Sequence, residues 1–298
     1  MIIDIHSHLG DILYPGGGGL IFKEGLVFPK KVVPDEKMLF YEPFYMKIRN
    51  RIFKPLDIRV ERKRNFSATL ENFQKSLEGL DIKYSVCAPI APNTTFDDML
   101  KAHNHEGRII PFASPDFTSP DMVRLLHSDL ENGLCKGVKI HPIIQEVEAD
   151  SQRVMEAVDI ISPYELPVLL HTGKSGYYTA KEKKKKFVYN ASIDKINKLV
   201  ATFPKVKFIL GHAGLSEVSS VIDMMPMHKN AYVDTSFQPP DVICALVAAF
   251  GGDRVLFASD WPYGLRRVSI DVAKMACGDD NALLKALMHD NAARLLNL

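Results

Sequence analysis

Gly137-Val138-Lys139-Ile140-His141, an amphipathic stretch from Ser151 to Ser162, and Pro167-Val168-Leu169-Leu170-His171 form one continuous segment of the chain. Each five-residue run is apolar, short and closed by a histidine, as expected of a fully buried strand. Between them Val154, Ala157, Val158 and Ile161 recur at helical spacing. Two buried strands joined through a helix must run parallel, because a tight hairpin cannot connect them. The segment therefore reads as a strand–helix–strand unit with polar side chains at both strand ends.

The same unit repeats on both sides. Upstream lie a strand over Ile2-Ile3-Asp4-Ile5-His6, a helix from Ser67 on Leu70, Phe73, Leu77 and Leu80, and strands over 84–88 and 109–113, with helices over 96–104 and 120–131. Downstream, strands over 206–210, 231–234 and 255–260 alternate with helices over 193–202, 217–225 and 241–250. A last amphipathic helix carries Leu283, Leu284, Leu287, Leu295 and Leu296. Eight apolar strands alternating with helices predict a single (β/α)8 TIM barrel spanning 1–298, with strand ends near 6, 88, 113, 141, 171, 212, 234 and 260. The chain has 298 residues, more than the roughly 250 of a plain barrel. A long insert over about 10–65, after strand one, accounts for most of the excess. It reads as a lid with a short helix near 38–52, and its Gly16–Gly19 run reads as a flexible turn, since no Lys-Ser/Thr follows it as in a phosphate loop.

Composition narrows the function. A net charge of +1 gives no general attraction to nucleic acid or membrane surfaces. Four cysteines (Cys87, Cys135, Cys244, Cys277) without Cys-x-x-Cys spacing read as reduced thiols, mostly buried. With no spanning stretch or leader pattern, the expected location is cytoplasmic and the expected partner a small, anionic molecule; association into a homo-oligomer is left open. The basic run 181–186 reads as a solvated face, with a role in attracting anions as the alternative.

In a barrel, residues from distant strands converge at the C-terminal strand ends. Here those positions hold His6 and His8, Lys139 and His141, His171, His212 and Asp260. Each has an ordinary reading alone, a hydrogen-bonded histidine or a turn-capping aspartate, but seven together at one end of a barrel point to chemistry. Imidazoles and a carboxylate suit Zn²⁺, Mn²⁺ or Fe²⁺. Asp260 can ligate and also accept a proton, and His212 can steady an oxyanion or shuttle a proton. Trp261 and Tyr263, next to Asp260, are candidates to line the pocket or simply to pack.

Asp4-Ile5-His6-Ser7-His8, Leu170-His171-Thr172-Gly173, Gly211-His212-Ala213-Gly214 and Ala258-Ser259-Asp260-Trp261-Pro262 resemble the signature set of the amidohydrolase superfamily, as does the ending Asp290-Asn291-Ala292-Ala293-Arg294-Leu295-Leu296. The resemblance is strongest to the branch of aminocarboxymuconate-semialdehyde decarboxylase and related metal-dependent hydrolases, and spans the chain apart from 10–65. It implies that His6, His8, His171 and Asp260 hold one divalent metal, zinc first among the candidates, with His212 facing a metal-activated water or the substrate. Lys139 and His141 would then bind a substrate carboxylate, with Trp261 beside them. A carboxylated Lys139 bridging two metals, with His171 and His212 on the second, is the alternative. The expected reaction is hydrolysis of a small carboxylate-bearing substrate; the alternatives are non-oxidative decarboxylation at the same residues and a non-catalytic metal-binding barrel.

Overall fold

The computed structural model describes residues 1–29, 59–178 and 184–298. The expected helix near 38–52 and residues 181–183 of the basic run lie outside them, and the backbone resumes as a 3-10 segment, Lys184–Ala191. Eight parallel strands follow in order: β1 Ile2–Ser7, β2 Ile82–Cys87, β3 Ile109–Pro111, β4 Val138–Ile140, β5 Val168–His171, β6 Phe208–Gly211, β7 Ala231–Asp234 and β8 Val255–Leu256. β1–β3 form one ladder and β4–β8 another. Isolated bridges Ala113↔Val138 and Ser7↔Trp261 join the two ladders at both seams, as do backbone bonds from Ile5 N to Phe257 O and from Lys139 N to Ala113 O. The fold is the (β/α)8 barrel that the sequence predicts.

Alternation along the strands separates two cores. Ile3, Ile5, Val86, Ile110, Phe112, Leu169, Ile209 and Leu256 face one another inside the barrel, joined by Ala292, Leu295 and Leu296 of the tail. The intervening residues, among them Ile2, Cys87, Val138, Leu170, Phe208 and Val233, pack outward against the helices. These are α1 Leu70–Leu77, α2 Phe96–His105, α3 Met122–Leu130, α4 Gln152–Ile161, α5 Ile193–Thr202, α6 Val218–Met224, α7 Pro240–Phe250, α8 Arg266–Cys277, α9 Asn281–Lys285 and α10 Asn291–Leu296. Thr69, rather than Ser67, caps α1, and Thr95 with Asp98 forms a capping box on α2. Two features differ from the sequence reading. α8 was not expected, and the final helix is divided into α9 and α10 by a π-helical turn over Ala286–Asp290.

The glycine run also differs. It is a packed 3-10 turn, Gly17–Leu20, and not a flexible one: a Cβ on Gly17 would lie 1.8 Å from Asp11 O, and one on Gly18 would lie 2.2 Å from the Asp98 carboxylate. The described parts of the insert are tied to the barrel rim. Ile12 N donates to Asn65 Oδ1, Asn93 donates to Ile12 O, and the buried Arg64 donates to the Tyr263 carbonyl. Of the cysteines, Cys244 is exposed and the other three are buried, all as free thiols.

On α3 the half-buried Asp129 has its carboxyl pushed up to about 6 by burial and by the charge of Asp97 on α2. A folded value above the unfolded one means stability that is present at low pH and lost as pH rises through about 6. Asp129→Asn should therefore raise the melting temperature at neutral pH and give no gain below pH ~4. Calorimetry across that range checks this; a gain of equal size at both ends would contradict it.

Candidate metal centre

The expected residues come together at the C-terminal strand ends, and β1 needs a special device to deliver them. Strict alternation would put His6 on the outward face with Ile2 and Asp4. Instead the register slips between Asp4, opposite Ser85, and Ser7, opposite Cys87, so that three steps on β1 match two on β2. Such a bulge re-aims side chains, and His6 and His8 meet with their Nε2 atoms 3.2 Å apart. His212, which follows the inward Gly211, is also redirected by a left-handed backbone (φ 59°), and Asp260 shares that conformation (φ 52°), a strained one characteristic of functional sites.

Donor atoms converge on one point. Asp260 Oδ1 lies 3.5 Å from His6 Nε2 and 3.3 Å from His8 Nε2. Bonds of about 2.0–2.1 Å in a tetrahedral arrangement hold donors roughly 3.3–3.4 Å apart, so these separations fit one small divalent ion. Buried polar atoms ordinarily have partners, yet Asp260 Oδ1 and His171 Nε2 are buried without a hydrogen bond. The His171 ring lies 5.1 Å from that of His212 and stacks on that of His141 at 4.0 Å. Among the described residues a second triad, His6, His212 and Asp234, is as compact. Its carboxylate is already committed, however, to the bonds described below. His6, His8 and Asp260 are therefore the freer triad, and His171, which is in neither compact group, stands beside them with an unpartnered Nε2.

Electrostatics keep the imidazoles in their ligating form. Burial first, and then the Lys139 charge, pull His8 down to about 3. Burial lowers His6, His171, His141 and His212 well below the usual histidine value as well. Neutral imidazole is what a metal binds. Lys139 Nζ is buried 2.9 Å from His6 Nε2 and is depressed to about 8 by burial, partly offset by Asp260 and Asp234. Asp260 is raised well above the carboxylate range by burial, against the lowering effect of Lys139.

Residues that the sequence reading passed over hold this arrangement in place. Asp234, at the end of β7, accepts from His6 Nδ1 at 2.8 Å through Oδ2. Through Oδ1 it accepts from His212 N at 2.9 Å and from Ser236 Oγ at 2.5 Å. His212 Nδ1 in turn meets Ser236 Oγ at 2.8 Å. A carboxylate behind a ligating histidine fixes its tautomer and orientation. Asp234→Asn should thus weaken metal binding about 10- to 100-fold, read by competition with a chelator; unchanged affinity would remove Asp234 from this role. Asp4 points outward and binds Ser259 N (2.9 Å) and Oγ (2.6 Å), bracing the segment before Asp260. The two glycine motifs pack backbone to backbone: Gly173 has φ 87°, and a Cβ there would lie 2.1 Å from Gly214 O. Alternation already put Asp234 on the barrel interior with Tyr232, a signal available in the sequence.

Two expected substrate contacts are placed differently. Trp261 does not line this pocket: its indole is fully buried in the outer core between Phe28 and Phe73, 5.6 and 5.4 Å from their rings. The physical reason is alternation, which turns 261 outward once 260 points in. His141 is beside His171, but its Nε2 meets Tyr177 Oη and its Nδ1 accepts from Ile144 N. Tyr263 does approach the centre, its ring 6.2 Å from that of His8.

A family model described as Amidohydrolase matches residues 3–298. No curated protein matches the sequence. Among solved structures, an uncharacterised TIM-barrel protein from Bordetella bronchiseptica is similar with TM-score 0.67 and 16% identity, over 99% of this chain and 98% of that one. A 2,6-dihydroxybenzoate decarboxylase complexed with 2,6-dihydroxybenzoate is similar with TM-score 0.65 and 14% identity, over 100% of this chain and 99% of that one. A dihydroxybenzoic acid decarboxylase from Polaromonas, with bound manganese and the inhibitor 2-nitroresorcinol, gives TM-score 0.63 and 15% identity, over 100% and 97% of the two chains. Among the described residues no helix is long and apolar enough to cross a membrane.

Proposed function

We propose, for a chain that belongs to the amidohydrolase family, that it removes carbon dioxide without oxidation from a small aromatic or unsaturated carboxylic acid, using one divalent ion. The observation that carries this reading is burial. His6, His8, Lys139, His141, His171, His212 and Asp260 are all at most 5% exposed. Hydrolysis needs water delivered to the reacting carbon. Loss of carbon dioxide instead disperses the carboxylate charge and is favoured where water is excluded. Two of the similar structures being decarboxylases of hydroxybenzoic acids supports the same choice over the hydrolysis expected from the motifs.

His6, His8, His171 and Asp260 would hold the ion, with manganese and zinc both suited to the donor set. When bound, such an ion supplies a Lewis acid that fixes an anionic substrate and withdraws electron density from it. Lys139 adds a positive charge beside His6 and so favours an anion in the pocket. Asp260 is the proton donor: as the bond to the carboxyl carbon breaks, its electron pair stays on the substrate carbon and takes the Asp260 proton, and carbon dioxide leaves. His212, whose Nδ1 is 3.8 Å from Asp260 Oδ2, stands where it can return a proton to that carboxylate.

The test is a panel of hydroxybenzoic and unsaturated acids, each labelled with ¹³C in the carboxyl group, incubated in D₂O with the manganese- or zinc-loaded protein. Labelled carbon dioxide and one deuterium on the vacated carbon are expected. Hydrolysis of esters, lactones or amides with no carbon dioxide from any acid would replace this reading with the hydrolytic one.

A further inference from the structure

A third apolar cluster lies apart from the two barrel cores: Ile12, Leu13, Ile90, Ile144, Tyr178 and Tyr263, all buried. These side chains come from the loops after β1, β2, β4, β5 and β8, the end of the barrel that holds the metal centre. The loop after β7 adds Phe237, which packs against the cluster but remains partly exposed. Its ring lies 5.5 Å from that of His212, and its Cε1 would lie 3.5 Å from a Cβ placed on Gly264. An aromatic ring thus stands beside both the apolar cluster and an imidazole of the site.

The backbone carries a cost for this placement. Phe237 has φ 60°, a left-handed conformation in which a Cβ is crowded and which glycine adopts freely. The turn is pinned on both sides of it. Ser236 N donates to Asp234 Oδ1 at 3.0 Å, Gln238 N to Thr235 O at 3.2 Å, and Gln238 Nε2 to His212 O at 2.5 Å. The same bonds would hold a glycine here with less strain. Strain that is over-determined by its surroundings clusters at active sites and ligand clamps.

We propose that Phe237 is a specificity-determining residue, whose ring is the apolar wall on which the substrate's aromatic ring lies while the substrate carboxylate sits at the metal centre. This rests on the decarboxylase reading and narrows it to aromatic acids. Ring-on-ring packing favours a benzoic acid over a short aliphatic one.

The test titrates zinc-loaded protein with benzoate and, separately, with acetate, which has the same charge and no ring, each followed by NMR. Phe237→Gly suits the turn and removes the wall. It should bind benzoate about 10- to 100-fold more weakly than the native chain and acetate within about twofold of it, with zinc content unchanged. Its melting temperature should exceed that of Phe237→Ala, which loses the same ring but keeps a crowded Cβ. Native benzoate affinity in Phe237→Gly, or an equal loss for benzoate and acetate, overturns the inference, as does a Phe237→Ala variant that melts no lower than Phe237→Gly. None of these results touches the decarboxylase reading, which stands or falls on carbon dioxide release from the labelled acids. Selectively weakened benzoate binding, with no carbon dioxide from any acid, supports Phe237 as the aromatic wall and overturns the reaction.

Discussion

Asp260→Asn is expected to lower turnover by about 10²–10⁴-fold, the usual range for removing a general acid, while the protein stays folded. Asparagine keeps the shape of the side chain, and the left-handed turn at 260 is one that asparagine tolerates. What it loses is the proton. In the native site the Asp260 carboxyl is buried against His6, His8 and His212, whereas the nearby Asp234 carboxylate is bonded to His6, His212 N and Ser236. Metal content should fall less than turnover does, because three imidazoles remain. Single-turnover release of labelled carbon dioxide, with elemental analysis of the same sample, separates the two effects. Turnover within about tenfold of native would show that the proton comes from elsewhere.

The paired substitution His6→Ala/His8→Ala should abolish metal binding. The two Nε2 atoms lie 3.2 Å apart at the centre, and without them one imidazole and one carboxylate of the assigned ligands remain. In the native protein, metal at a hundred times its Kd adds about 2.7 kcal/mol of stability by mass action. Addition of zinc or manganese should therefore raise the native melting temperature and leave that of the double variant unmoved. A variant that still gains stability from the metal would place the ion elsewhere, with the His6–His212–Asp234 triad excluded as well, since it shares His6.

Much of this was legible in the sequence, for reasons that are local. Short apolar runs closed by His141, His171 and Asp260 mark strand ends wherever the helices go, and the barrel rule then brings those ends together. What stayed hidden depends on tertiary contacts. The bulge that turns His6 inward is a mismatch between β1 and β2, visible only once they pair. α8 carries Val268, Ile270 and Val272 at spacing two, a strand-like pattern that packing against α7 and α9 overrides. The glycine run signals flexibility by composition, yet at Gly17 and Gly18 Asp11 and Asp98 leave no room for side chains. Trp261 is the opposite case, where adjacency to Asp260 suggested the pocket although alternation already pointed it away.

The most direct test of the metal centre is a crystal structure of zinc-loaded protein with anomalous data at the zinc absorption edge. One anomalous peak is expected per chain, at about 2.0–2.2 Å from His6 Nε2, His8 Nε2, His171 Nε2 and an Asp260 carboxylate oxygen. A peak on His212 and Asp234 instead, two peaks bridged by Lys139, or no peak at this end of the barrel would contradict it.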